Sequence, residues 1–344
     1  MNESDEQKTA GSDFSPQPRR GEAQGRAEQH IAAGVQHHLA GQLALAEAEY
    51  QAALAVDPDS AAAHNNLGFI LGQSQQWQAA RRHLEQALQL QPDMAMAHSN
   101  LGQVMVAMGD TLDGLAHLQQ AATLAPDNLQ VWENLGRVRL QLRDASGAEA
   151  AYLQACRIAP DTAHPFTQLG TTLTAQGRHD EAVAAHQRAT TLAPKDADAW
   201  GQFGVSLFLR KDLGSARKVL ERALALKADH PVALRHLALV QVACGETDAA
   251  IATLEQLLQA QPAADESRVD LAVMLLSRGR VTDAHALTRA LHDQHPTDER
   301  IAFYHAQALA GIGFAEAAGE LLGHLAEADS EYGRRARQLL GKTH

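Results

Sequence analysis

Five carboxamides stand in step along the chain: Asn66, Asn100, Asn134, Gln168 and Gln202, each 34 residues after the last. A carboxamide carries donors and an acceptor on one planar head, so it can meet both the C=O and the N–H of an extended polypeptide. Each such bond is worth only about 0.5–1.5 kcal/mol net. Five of them just offset the cost of association, which runs from roughly 4 kcal/mol upward. That is chemistry for moderate, sequence-tolerant binding. Asn65, Gln103 and Arg137 lie beside the row, and His236 continues it at the next step.

The other reactive residues make no comparable pattern. The 18 histidines invite a metal, with His64 and His98 in one column and His83 and His117 in another. Equivalent positions on stacked helices lie roughly 8–10 Å apart, whereas a metal needs its ligand nitrogens about 2.0–2.1 Å away. His64 and His98 read instead as flat rings filling an aromatic slot. His292 and His295 are spaced i and i+3 but have no third ligand. No Gly-rich phosphate loop, nucleophile elbow or HExxH helix occurs, and acid pairs such as Asp180–Glu181 suit a helix start. The expectation is a non-enzyme with no catalytic residue, no metal and no cofactor.

Composition narrows the class further. Hydrophobic residues make up 45 % of the 344 but aromatics only 4 %, so Ala and Leu supply the apolar mass and favour close-packed helices. A formal net charge of -12 argues against a phosphate-tracking surface, and nucleic acid is not an expected partner. No apolar run of about 18 residues suggests a membrane span, and the N-terminal stretch lacks the apolar segment of a secretory signal. Cys156 and Cys244 form no framework and read as small buried fillers in a reducing, cytoplasmic setting.

The elements that position the carboxamides follow from the same period. Pro58, Pro92, Pro126, Pro160 and Pro194 keep a spacing of 34; Ala228 takes the next slot, and Pro262 and Pro296 resume it. Gly68, Gly102, Gly136, Gly170 and Gly204 form a second column, with Leu67, Leu101, Leu135, Leu169 and Phe203 just before them. Each period reads as two helices. Gly41, Gly109, Gly177, Gly245, Gly279 and Gly313 mark the turn between the two, where a positive φ is useful. Pro followed by Asp closes the second helix and opens the next. One such pair cannot bury its apolar face alone, so stability must come from stacking.

Leu-Gly in the first helix, Ala-rich contacts in the second and a closing Pro at a 34-residue period resemble the tetratricopeptide repeat. The resemblance implies an all-α, right-handed superhelical solenoid of about nine helix-turn-helix units. They fall at 27–60, 61–94, 95–128, 129–162, 163–196, 197–230, 231–264, 265–298 and 299–329, with a capping helix over 330–344 and a disordered polar segment over 1–26. Trp132, Phe166 and Trp200 fill the family's aromatic slot; His30, His64, His98, Leu234, Arg268 and Ala302 depart from it.

At 100° per residue, the second, fifth, sixth, ninth, twelfth and thirteenth residues of each unit share an arc opposite the Leu-Gly face. In a tetratricopeptide superhelix that arc lines the concave groove. The resemblance therefore implies a peptide-binding surface at Asn65, Asn66, Asn100, Gln103, Asn134, Arg137, Gln168, Gln202 and His236. Farther on, the arc turns apolar, with Val205, Phe208, Leu239, Val242, Val269, Val273 and Phe303. The Asn column is similar to the groove of the O-linked N-acetylglucosamine transferase repeats, where Asn side chains hold substrate backbone; Asn66, Asn100 and Asn134 match it directly, and Gln168 and Gln202 are the longer homologues. Against this stands a structural reading, in which the same side chains bridge to neighbouring helices. A chaperone-type carboxylate clamp needs several cations, and Arg137, Arg235 and Arg300 are too scattered for one.

The function expected is a protein-protein interaction adaptor holding an extended segment. Two alternatives accompany it: a structural or self-associating scaffold, with homo-oligomer formation through the apolar half, and the substrate-recognition half of a transferase complex whose enzyme is encoded separately. If the row faces ligand alone, replacing Asn66, Asn100 and Asn134 with Ala should spare the melting temperature.

Overall fold

A computed structural model describes residues 20–341. The chain divides after Ile158 into two compact units. The first unit holds α1 Arg20–Leu39, α2 Leu43–Val56, α3 Ala61–Gln73, α4 Trp77–Leu90, α5 Ala95–Met108, α6 Thr111–Leu124, α7 Leu129–Gln141 and α8 Ala145–Ile158. The second holds α9 Ala163–Ala175, α10 His179–Leu192, α11 Ala197–Leu209, α12 Leu213–Leu226, α13 Pro231–Ala243, α14 Thr247–Ala260, α15 Asp265–Ser277, α16 Val281–Gln294, α17 Glu299–Gly311, α18 Ala315–Ala326 and α19 Glu331–Leu340. Among the described residues there is no strand, and from α3 onward each odd-numbered helix through α17 begins 34 residues after the last. Helix α1 begins at Arg20, inside the segment expected to lack structure. The remainder of that segment, 1–19, lies outside the described residues.

The turns explain how the period is kept. Gly41, Gly109, Gly177, Gly245, Gly279 and Gly313 all take positive φ, between 73° and 96°. The three units without Gly there place Gln75, Arg143 and Lys211 in the same left-handed region, at φ 58°, 59° and 70°. The turn geometry is thus imposed by helix packing and not by the residue. Packing also accounts for the second Gly column. A Cβ at Gly136 would stand 2.8 Å from the Tyr152 ring, and one at Gly68 would stand 2.6 Å from Leu84 Cγ. Only a residue without a side chain lets α7 meet α8, and α3 meet α4, at that distance.

The aromatic slot has a job that periodicity does not reveal. Trp132 Nε1 donates to Pro126 O at 2.7 Å, and Trp200 Nε1 donates to Pro194 O at 3.0 Å. His64 Nε2 does the same to Pro58 O at 3.1 Å, and His98 Nε2 to Pro92 O at 2.9 Å. Histidine therefore replaces tryptophan as a flat ring with one N–H. Phe166 has none, and Arg188 donates to Pro160 O instead at 3.1 Å. Leu234 has none either, and Gln256 donates to Ala228 O at 3.1 Å. In each case a turn carbonyl that the helix leaves unbonded acquires a donor.

That bond also settles a tautomer. A carbonyl only accepts, so His64 and His98 carry hydrogen on Nε2 and have a lone pair on Nδ1. Their Nδ1 atoms face His83 Nδ1 at 2.9 Å and His117 Nδ1 at 2.8 Å. The partners must then donate from Nδ1. The histidines pair across the two helices of one unit, not down the columns. The cysteines divide: Cys156 is buried, and its thiol is pushed up to about 12 by desolvation, whereas Cys244 is exposed at the end of α13 and is no buried filler.

Candidate functional site

In the first unit the carboxamides build a ladder between successive odd-numbered helices. Asn100 Nδ2 donates to Asn65 Oδ1 at 3.0 Å, and Asn65 Nδ2 donates to Asn66 Oδ1 at 3.1 Å. Asn134 Nδ2 donates to Ser99 Oγ at 2.9 Å and accepts from Gln130 Nε2 at 3.1 Å. Asn65, Asn100 and Asn134 are only 6 %, 4 % and 7 % exposed. The fifth residue of a unit, placed on the groove by the helical wheel, is in fact covered by the next odd-numbered helix. A wheel of one helix cannot register that neighbour. Asn65 is accordingly a tie within the ladder.

Above the ladder lies a hollow of about 490 Å³ set across α3, α5 and α7, with the first turn of α4 at its edge. Its apolar wall comes from Phe69, Trp77, Val104, Val106 and Val138. Asn100, Gln103 and Arg137 also line it, which brings together three of the expected site residues. Arg137 is exposed, and its guanidinium donates to Gln103 Oε1. It is the one charged residue among those that line the hollow. Asn100 spends its amide on Asn65, while its Oδ1 is buried with no hydrogen-bond partner. Such an orphan acceptor costs about 1–3 kcal/mol until a donor reaches it. Asn66 and Asn134 do not border the hollow. Sequence reasoning missed Phe69, Trp77, Val104 and Val138. Phe69 stands at a ninth place, on the arc given to the groove, but was not singled out; Val104 and Val138 stand at tenth places, which the wheel gave to neither face, and Trp77 lies on α4.

The second unit is arranged differently. Gln168 and Gln202 are half-buried, and among the described residues their side-chain amides make no hydrogen bond. His236 Nδ1 donates to its own helix at Val232 O, 2.9 Å away, and burial holds its pKa below the ordinary value. The next residue in the row, Asp270, accepts from Arg235 Nε at 3.1 Å and from Arg300 Nη2 at 2.6 Å. Arg235 also pairs with Glu266. Of the three guanidiniums that sequence reading placed on the arc, the two in this unit, Arg235 and Arg300, are therefore committed to carboxylates. Val269 and Phe303, expected in an apolar groove, are only 4 % and 5 % exposed and belong to the core.

Among the described residues no three His, Cys, Asp or Glu side chains are grouped to hold a metal. His292 and His295 do not converge: His292 stacks on His305 with centroids 5.3 Å apart, and His295 Nε2 meets Asp265 Oδ2 at 2.9 Å. His186 is a buried ring of the second unit. It lies between Ser206 Oγ and Thr167 O, at 2.9 and 3.2 Å, and desolvation depresses its pKa to about 4.

Family comparisons agree with this architecture along most of the chain. Models of the TPR repeat match residues 34–75 and 70–109, and one of the tetratricopeptide repeat matches 104–163. A further model, the middle TPR-like domain of cilia and flagella-associated protein 70, matches 166–310. The chain is a tetratricopeptide repeat protein. Its all-α repeat solenoid is shared with solved structures at low identity. The Cut9–Hcn1 hetero-tetramer of the anaphase-promoting complex gives a TM-score of 0.59 at 18 % identity over 78 % of this chain and 52 % of the matched one. PilF of Pseudomonas aeruginosa gives 0.54 at 18 % identity over 64 % and 99 %. A tetratricopeptide repeat protein of Parabacteroides merdae gives 0.54 at 16 % over 73 % and 99 %. These likenesses concern the fold. No curated protein sequence matches this repeat protein. No helix among its described residues is long and apolar enough to cross a membrane.

Proposed function

We propose that this tetratricopeptide repeat protein is a non-catalytic adaptor that holds an extended polypeptide segment against the odd-numbered helices of its first unit. The observation that carries the reading is Asn100 Oδ1, a buried acceptor without a donor at the wall of an apolar hollow. An extended segment supplies backbone N–H groups and apolar side chains together, which is what that wall lacks. Asn100 thereby serves two ends, with its amide tying α5 to α3 and its carbonyl oxygen addressing the ligand.

The test is an array of extended 15-residue peptides read against the wild type and Ala107→Trp. Ala107 is exposed and lines the hollow, so the indole fills it from the rim without touching the core. Retained melting temperature with at least tenfold weaker capture supports the adaptor reading. Equal capture by the variant overturns it. Service beside a separately encoded transferase is an extension of this groove chemistry, tested by co-purification. The self-associating alternative relied on an apolar second-unit arc, and two of its residues are core.

A further inference from the structure

We infer that the hollow of the first unit is a binding site for a small neutral molecule: a flat heteroaromatic of the indole class, whose ring N–H donates to Asn100 Oδ1. Such a site goes beyond the adaptor reading and does not depend on it. Asn100 is 4 % exposed, and its Oδ1 has no hydrogen-bond partner. The amide nitrogen is held by Asn65 Oδ1 at 3.0 Å, so the side chain is tied down and only its acceptor is left to address a ligand. A buried acceptor in that state calls for one donor. The wall around it is aromatic and branched-apolar, from Phe69, Trp77, Val104 and Val138. Such a wall favours a ring, which gains offset or edge-on contact with Phe69 and Trp77 beyond the area it buries.

Size and charge agree with that ligand. At about 490 Å³ the hollow falls within the range of roughly 300–1,000 Å³ usual for small-molecule sites, which combine a mainly apolar lining with a few polar groups. The hollow presents one buried acceptor without a donor, so a molecule with a single N–H saturates it; Asn66 and Asn134, its neighbours in the row, do not border it. No carboxylate lines the hollow, so a cation finds no counter-charge there. Its one guanidinium, Arg137, is exposed and already donates to Gln103 Oε1. Taking a charge out of water without a partner is costly, and the hollow therefore selects an uncharged body. Indole supplies that body with one N–H and no acceptor that the wall would leave unpaired.

The probe is indole, titrated into the full chain by isothermal calorimetry and compared with 1-methylindole, which keeps the ring and lacks the donor. Indole should bind at least about fivefold tighter, the gain from giving a buried acceptor its partner. Ala107→Trp, which fills the hollow from its exposed rim, should abolish binding of both probes. Asn100→Ala should bring indole down to 1-methylindole, with the melting temperature measured alongside because that variant also cuts the bond to Asn65. Ala107→Trp leaves that bond in place and keeps the site testable if Asn100→Ala does not fold. Equal binding of the two probes by the wild type, no binding of either, or indole binding retained in Ala107→Trp overturns the proposal. The 15-residue peptide array is read on the same protein without indole. Peptide capture with no indole binding leaves the adaptor reading standing and sinks this one; indole binding with no capture does the reverse.

Discussion

Asn100 donates one hydrogen bond to Asn65 across two helices, Nδ2 to Oδ1 at 3.0 Å, and it leaves Asn100 Oδ1 buried with nothing to accept. Binding and architecture therefore meet in a single side chain. Replacing Asn100 with Ala removes the donor on Asn65 Oδ1, and replacing Asn134 with Ala strips Ser99 Oγ of its donor. Asn134→Ala should cost about 1–3 kcal/mol, the price of an unsatisfied buried partner, and Asn100→Ala less, because it also removes the unpartnered Oδ1. Asn66 is half-buried and only accepts from Asn65, so Asn66→Ala should cost about 1 kcal/mol or less. Urea unfolding of the three single variants checks the order. The expectation that all three could be removed without loss of stability is replaced by this one. A flat response at Asn134 would show that the ladder is not formed in solution.

The turn between paired helices offers a stabilising change. Gln75 is held at φ 58° in a position where six other units use Gly. A non-Gly residue there is disfavoured by roughly 1–2 kcal/mol, and Gly gives back about 0.5–1 kcal/mol through unfolded-chain entropy. Gln75→Gly should then raise stability by up to about 1 kcal/mol, and Gly109→Ala should lower it by a similar amount. Paired urea midpoints decide the matter, and a destabilised Gln75→Gly would mean the left-handed turn is not needed in that unit.

How far the sequence carries the fold can be seen in these residues. The period of 34 gave the first residue of every odd-numbered helix from α3 to α17 but not of α1, because Gly, Pro and the small columns are local requirements of turn and contact. The donors to the turn carbonyls stayed hidden. His64, Trp132 and Arg188 look unrelated as residue types, and only the shared carbonyl in space makes them equivalent. The groove arc was partly legible. Gln103 and Arg137 face the hollow as the wheel predicts, while Asn65, Val269 and Phe303 are covered by the following helix. Facing is a property of one helix, but burial belongs to the stack.

Acid should weaken the second unit through His186. Above pH 6.5 the ring is neutral whether the chain is folded or not, and its depressed pKa has no effect on stability. As pH falls below 6.5, the unfolded chain takes up a proton that the folded ring refuses, so stability is lost progressively down to about pH 4, where the folded ring charges too. The full loss attributable to this residue is roughly 3 kcal/mol. Burial also lowers the pKa values of His83, His117, His236 and His305, which act in the same direction. In His186→Leu, Ser206 Oγ keeps Thr174 and Gln202 O as partners. Urea unfolding from pH 7.5 to 4.5 should show a shallower decline in that variant; an unchanged slope would mean that His186 charges freely in the folded chain.

Gln168 and Gln202 allow ligand contact to be separated from folding, which Asn100 does not. Their amides hold nothing in the fold, so Gln168→Ala and Gln202→Ala should each stay within about 0.5 kcal/mol of the parent. If a bound segment meets these amides, each truncation removes a bond worth about 0.5–1.5 kcal/mol, or about 2- to 10-fold in affinity. The comparison needs a captured 15-residue peptide and a 7-residue one. A short ligand seated on Asn100 and Arg137 should be indifferent to both glutamines, and a long one should lose affinity at each. Indifference of the long ligand would confine recognition to the first unit and leave the second unit's carboxamides as solvent-facing residues of a helix face.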